Sequence, residues 1–294
     1  MILDERKRSF DMPSTYAHYL FGEQILGRLD EEQAQIVRAH RQLYDIGLHG
    51  PDILFYYHPL TNNKVNSIGF GMHGRHADKF FKAAKAVCLQ ASDRSAALAY
   101  AIGFVCHFAL DVTCHSYIEN KIAVSNVRHT EIESEFDRAL LLQRGVEPLS
   151  AKLTEHIVAS DANARVIAPF LGVTQKQVKK ALRSMKFYNG LMRAPHAGKR
   201  FLVNTAMRLT GNWREMHGMM IAKRPIPACE DSNLRLMKLM RKAQDECLAL
   251  IRNFVSYVDG KEELSPAFSR TFGPNGNWHE IPVLSVEEEK NYEV

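Results

Sequence analysis

The stretch from His107 to Glu133 gathers side chains that bind cations. It reads His107-Phe-Ala-Leu-Asp111-Val-Thr-Cys-His115 and then, after an intervening run, His129-Thr-Glu-Ile-Glu133. Each step inside the two clusters is four residues, and residues four apart stack on one helix face. His107 and Asp111 are therefore placed to share one ion, and His129 and Glu133 another. His115, one turn beyond Asp111, is rotated enough to reach a second ion. Neutral imidazole and carboxylate form a ligand set that zinc accepts, so the pattern points to a multi-zinc enzyme.

The elements that must hold these groups are helical. The run before the cluster, Ala96 to Cys106, is almost wholly apolar, and a helix of that kind is buried on most of its surface. Carboxylate and imidazoles buried there cost several kcal/mol, on the order of an unpaired polar group, unless something compensates. A divalent cation compensates directly; the bland alternative is a buried His/Asp hydrogen-bonded pair. Helical periodicity is expected over 13–27, 31–46, 74–90, 92–118, 128–144, 150–159, 174–186, 198–210 and 232–259. No strand alternation or internal repeat is visible, so the fold class is all-α: a multi-helix bundle with a multi-zinc site between helices. The expected organisation is an N-terminal extension (1–12), a zinc-site helical core (13–145), a helical part packed on the same domain (146–259) and an irregular, acidic, partly disordered tail (260–294). The segment from Gly47 to Gly74 reads as a Gly, Pro and Asn-rich connection.

Composition sets limits. The chain has 294 residues, 46% hydrophobic and 24% charged, as in a soluble globular protein. No run of about 18 apolar residues suggests a transmembrane segment, and Met1 to Ser9 lacks the hydrophobic region of a secretory signal. Five cysteines without paired spacing suit a reducing compartment, so the expected location is cytoplasmic. Cys106 and Cys114 flank the ligands but read as core packing. The net charge of +5 is uneven: from Ala162 through Arg214 there is no Asp or Glu. Arg165, Lys176, Lys179, Lys180, Arg183, Lys186, Arg193, Lys199, Arg200, Arg208 and Arg214 fill that span. A field of one sign attracts phosphates, lipid head groups or nucleic acid, or it merely solvates a helix face.

Nine of the 13 histidines lie at or before His129, so further ligands are sought upstream. His18, His40, His49, His58, His73, His76, Asp45 and Asp52 qualify, and spacing alone does not choose among them. Asp52, in Gly50-Pro51-Asp52, sits on a rigid turn that suits a fixed carboxylate or a simple turn cap.

Taken together, Pro13-Ser-Thr-Tyr-Ala-His18, Gly50-Pro51-Asp52, Gly71-Met72-His73, His107-x3-Asp111-x3-His115 and His129-x3-Glu133 resemble the zinc-dependent phospholipase C family, in the family's order. The chain resembles a bacterial, non-secreted relative of that all-α group. The resemblance implies two or three zinc ions per chain. One would take His73, His107 and Asp111; a second would take His18 and share Asp111; the third would take His115, His129 and Glu133. Asp52 would be the catalytic carboxylate on the open side, orienting or deprotonating the attacking water. The implied activity is hydrolysis of a phosphodiester in a phosphoester or phospholipid-like anionic substrate.

Two features depart from the family pattern. Its secreted members complete the second site with a processed N-terminal amine, whereas twelve residues precede Pro13 here; a start at Met12 would leave Pro13 terminal, close to His18. The step from Asp111 to His115 is also two residues tighter than in the best-known secreted members. Two alternatives are carried: a nuclease resembling the fungal single-strand nucleases, with nucleic acid as its partner on the basic stretch, and a non-catalytic zinc- or phosphate-binding protein.

Overall fold

A computed structural model describes residues 14–209 and 217–294, so the expected N-terminal extension and Pro13 lie outside the described residues. The apolar run that leads into His107 forms the central helix, α6 in chain order, which spans Arg94–Ser125. Its start is fixed by Asp93, whose side chain accepts the Ala96 N–H at 2.9 Å, and it stops at Asn126, which turns left-handed at φ 56°. By length and apolar composition α6 matches a membrane span, contrary to the expectation from run length. Here 94% of its most apolar stretch is buried inside the protein.

Around α6 lie α1 (Thr15–Leu26), α2 (Glu31–Ala39), α3 (Arg41–Gly47), α4 (Lys64–His73), α5 (Asp78–Gln90) and α7 (His129–Gln143). The second half adds α8 (Asp161–Leu171), α9 (Gln175–Met192), α10 (Ala197–Leu209), α11 (Glu230–Val258) and the short α12 (Val286–Asn291). The all-α expectation holds among the described residues, where the only strand-like feature is an isolated bridge between His76 and Thr271.

Two glycines bring α3 against α6. A Cβ on Gly47 would overlap the Tyr100 carbonyl, and one on Gly103 would overlap the Tyr44 carbonyl, so the two backbones cross in contact. That contact delivers the chain into a 3-10 turn, Gly50–Tyr56, directly beside His107. Gly50 holds φ +47°, and a Cβ there would collide with the His107 ring. Only glycine meets both demands, which explains why Gly precedes Pro51-Asp52.

Several expected boundaries move. The connection from Gly47 to Gly74 contains α4, nucleated by Asn63, whose side chain accepts the Val65 and Asn66 N–H groups at 3.0 Å. The expected helix over 150–159 is instead irregular, and α8 begins after Ser160, whose hydroxyl caps Asn163 at 3.0 Å. The tail expected to be partly disordered folds back. Asn120 donates to the Ile281 carbonyl at 2.6 Å, and Asn275 N–H donates to Ser116 Oγ at 3.0 Å. Beyond it, Glu289 of α12 pairs with Arg235 of α11 at 2.6 Å, and both side chains are buried.

Candidate metal centre

Five elements converge on one polar cluster in this apolar core. α6 supplies His107, Asp111 and His115; α1 supplies His18; the 3-10 turn supplies Asp52; α4 ends on His73; α7 begins at His129 and carries Glu133. His18, Asp52, His107, Asp111 and Glu133 are buried, while His73, His115 and His129 are half-buried and face a cavity. At the start of α7 the Glu131 side chain reaches back to accept the Arg128 N–H at 3.0 Å, which ties down the turn that carries His129.

Asp111 is the hub. Its Oδ1 lies 3.3 Å from His18 Nε2, and its Oδ2 lies 3.1 Å from His107 Nε2 and 3.7 Å from His73 Nε2. Asp52 reaches into the same space, 3.1 Å from His73 Nε2 and 3.6 Å from His107 Nε2. On the other side His129 Nε2 lies 3.1 Å from Glu133 Oε1. The His115 and His129 rings are 5.5 Å apart.

These side chains form three sets whose donor atoms all lie within 4.8 Å of one another: His18, His107 and Asp111; Asp52, His73 and His107; and His115, His129 and Glu133. The structure thus brings together every residue that the family resemblance assigns to the site, and His40, Asp45, His49, His58 and His76 fall in none of the three sets. The arrangement differs from the implied one in two respects. The residue shared by the first two sets is His107, which joins His18 and Asp111 in one and His73 and Asp52 in the other. In addition, Asp52 is not confined to the open side. It is wedged between His73 and His107, with its edge on the cavity. Gly50 makes that approach possible.

The donor set fits a divalent cation on two counts. Both oxygens of Asp52, Asp111 Oδ2, Glu133 Oε2 and both ring nitrogens of His107 are buried without a hydrogen-bond partner. Buried polar atoms are ordinarily paired, and an orphaned carboxylate oxygen costs at least about 1–3 kcal/mol. Secondly, four ligands around zinc at ~2.0–2.1 Å sit roughly 3.3 Å apart. The separations of 3.1, 3.3, 3.6 and 3.7 Å bracket that spacing, and the three longer ones exceed good hydrogen-bond lengths.

The rings are oriented from behind. His73 Nδ1 meets the Gly69 carbonyl at 3.0 Å, and His115 Nδ1 meets the Phe272 carbonyl at 2.6 Å. Such bonds fix the tautomer and leave the other nitrogen as donor to a cation. Burial alone would raise the Asp111 carboxyl, but His107 and His115 outweigh it and hold Asp111 well below the usual carboxylate range. Burial opposes protonation of His73, yet the Asp52 carboxylate 3.1 Å away pushes the imidazole up to about 9. His18 is likewise raised by Asp111 against burial. A cation in these sets competes with protons for the same nitrogens.

The cluster opens into a cavity of about 200 Å³. Phe55 and Phe70, stacked at 4.2 Å between ring centroids, form one wall, and Glu119, Gly273 and Pro274 another. The sequence reading missed these residues. Phe70 and His73 do lie three apart, a helical spacing that carries both onto one face of α4. Nothing local in Phe272-Gly273-Pro274 signals its return to the site. Among the other upstream candidates, His49 pairs with His156 at 2.8 Å and Asp45 with Arg41 at 2.6 Å, outside the three sets. Cys106 and Cys114 are buried and free, as expected of core residues.

Fold and site together define an all-α protein with several imidazole–carboxylate groups between its helices that are able to hold metal. The zinc-dependent phospholipase C family model matches residues 17–185, from α1 to within α9, and the chain belongs to that family. No curated protein and no solved structure matches the chain.

Proposed function

We propose that this protein hydrolyses a phosphodiester bond in a phospholipid-type substrate, with His18, Asp52, His73, His107, Asp111, His115, His129 and Glu133 holding two or three zinc ions. The observation that carries this reading is the clustering of three imidazole–carboxylate sets, two of which share His107, with buried carboxylate oxygens that the chain leaves without partners. Zinc in such a centre acidifies bound water toward a pKa of about 7 and neutralises charge on phosphoryl oxygens.

The chain's own residues do the rest. Asp111 lies between His18 on one side and His107 with His73 on the other, so it would hold metal together with either group of imidazoles. Asp52 belongs to a ligand set and also lines the cavity, so it would help hold metal and would orient water and accept its proton. The Gly69 and Phe272 carbonyls keep His73 and His115 from rotating away. The Phe55–Phe70 wall excludes water and receives the apolar part of the substrate. Five buried, unpaired thiols support a reducing compartment, and we place the protein in the cytoplasm.

The test is elemental analysis of protein purified without added zinc, together with turnover of a phosphatidylcholine and a soluble phosphodiester. Two to three zincs per chain with hydrolysis are expected, and Asp111→Asn loses both. Asp52→Asn retains zinc but loses turnover; loss of zinc with Asp52→Asn would make it a ligand only. Wild-type protein without tightly bound metal would end the proposal.

A further inference from the structure

Outside the metal centre, the surface feature that ordinary folding physics does not account for is α10. Its inward stripe, Val203 and Met207, packs with Met192, Ala194 and Met220 in a small satellite core. A surface helix packed in this way should turn charge to solvent on its other face. Instead Phe201 is 70%, Leu202 68% and Leu209 83% exposed. With 100° per residue these three fall within about a quarter-turn to a third-turn arc, opposite Val203 and Met207. Lys199 and Arg200 do not cover them. The Lys199 ammonium is drawn back to the Gly190 and Arg193 carbonyls, and the Arg200 guanidinium to the Ile221 carbonyl.

The preceding helix supplies charge of one sign. Along α9, Lys176, Lys180, Arg183 and Phe187 recur at helical spacing on one exposed stripe. Neighbouring cations on the same helix are used internally: Lys179 pairs with Asp161, and Lys186 donates to the Thr154 and Ile157 carbonyls. No Asp or Glu occurs between Ala162 and Arg214 to offset the stripe. α9 and α10 are consecutive, joined by residues 193–196.

We propose that α10 and the cationic stripe of α9 form an interfacial face that seats the protein on an anionic lipid bilayer. Phe201, Leu202 and Leu209 enter the boundary between head groups and acyl chains, while Lys176, Lys180 and Arg183 meet lipid phosphates. Aliphatic side chains at the centre favour lipid over nucleic acid, because leucine offers neither stacking nor hydrogen bonds to a polynucleotide. The unbroken positive charge favours a polyanionic surface over a second copy of this chain, whose matching face would repel it. α10 lies beyond the family-matched span, and the proposal does not depend on the hydrolase reading.

The test is co-sedimentation of the full chain with vesicles of phosphatidylglycerol and, separately, of phosphatidylcholine. Binding is expected on phosphatidylglycerol, weakening as salt is raised, and little on phosphatidylcholine. The triple variant Phe201→Ser, Leu202→Ser, Leu209→Ser lowers affinity at least about 10-fold, with unchanged circular dichroism and zinc content. Phe201→Leu retains binding. Lys176→Gln, Lys180→Gln, Arg183→Gln lowers affinity by on the order of 10²-fold and flattens the salt dependence. Failure of wild type to bind phosphatidylglycerol at low salt overturns the proposal, as does equal binding by the serine variant. A wild-type dimer that the serine variant converts to monomer, without vesicle binding, overturns it in favour of self-association. Zinc content and soluble-substrate turnover are read separately, so failure of this face leaves the metal-centre reading standing.

Discussion

Glu133 and Asp137 lie one turn apart on α7, and both are buried, yet the protein treats them differently. Asp137 accepts from the Ser14 hydroxyl and from the Tyr16 and Ala17 N–H groups, the latter two at 3.0 and 2.8 Å. It thereby caps the start of α1 from across the fold. Glu133 Oε2 has no hydrogen-bond partner. The same contrast separates whole regions. Toward the C-terminus, buried charge is matched from within: Lys121 with Asp231 at 2.6 Å, and Arg235 with Glu289 at 2.6 Å, stacked between Tyr117 and Tyr292. Around Asp111, carboxylates outnumber any lysine or arginine that reaches them. Where the chain supplies the countercharge, a buried carboxylate is structural; where it does not, the fold waits for a cation from outside.

The largest effect should come from removing that cation. Stripping the protein with a chelator lowers turnover at least about 10³-fold. It also lowers unfolding stability, by about 4 kcal/mol per site relative to zinc at a thousand times its Kd. Added zinc restores both in wild type and neither in Asp111→Asn. A thermal unfolding curve indifferent to zinc would break the contrast, because the site would then be self-sufficient like the C-terminal pairs.

The complementary prediction concerns Arg235. Arg235→Met leaves Glu289 buried and alone, and should cost about 3–5 kcal/mol by denaturant unfolding. Adding Glu289→Leu recovers most of that loss, because the pair is closed within the chain. No zinc dependence is expected in either variant beyond that of wild type. Arg235→Met without effect would show that α12 does not hold the tail in place.

What could be read from the sequence follows the same physics. His107, Asp111 and His115 are legible because one uninterrupted helix carries them, and helical spacing alone places side chains on a face. Asp52 is legible only as a rigid turn. Its position among the ligands depends on the α3–α6 backbone crossing at Gly47 and Gly103, a contact between residues far apart in sequence. α4 is hidden by the Gly, Pro and Asn-rich composition of its segment, although its Asn63–Asn66 cap is a local signal. The stretch 150–159 has the right periodicity, but Lys186 takes its Thr154 and Ile157 carbonyls, so tertiary contacts satisfy that backbone without a helix. The return of Phe272 to His115 has no local signature at all.

Asp137 offers a finer probe of how well the self-satisfied side is satisfied. Burial pushes its carboxyl up to about 6 from the usual 3.8, against the pull of Ser14 and the two backbone donors. Between those values the folded chain keeps a proton that the unfolded chain has released. The associated stability is therefore present below about pH 4 and is lost as pH rises through about 6. Asp137→Asn loses the charge-assisted cap but cannot ionise. Its deficit relative to wild type should shrink by about 1–3 kcal/mol between pH 4 and pH 7, followed by urea unfolding at each pH. A deficit that does not change with pH would mean that the three donors fully offset burial.

The smallest effect is expected where the site meets its substrate rather than its metal. Phe70 stacks on Phe55 in the cavity wall, and neither ring lies in a ligand set. Phe70 is also only half-buried, so its removal enlarges the cavity without opening the core. Phe70→Ala should leave zinc content and unfolding midpoint near wild type while raising KM about 10-fold, with kcat little changed. That split separates the wall from the centre, since Asp111→Asn moves kcat and zinc together and Asp52→Asn moves kcat, whereas Phe70→Ala moves KM alone. A fall in zinc content with Phe70→Ala would show that packing against α4 positions His73, and the aromatic wall would then belong to the metal site rather than to the substrate.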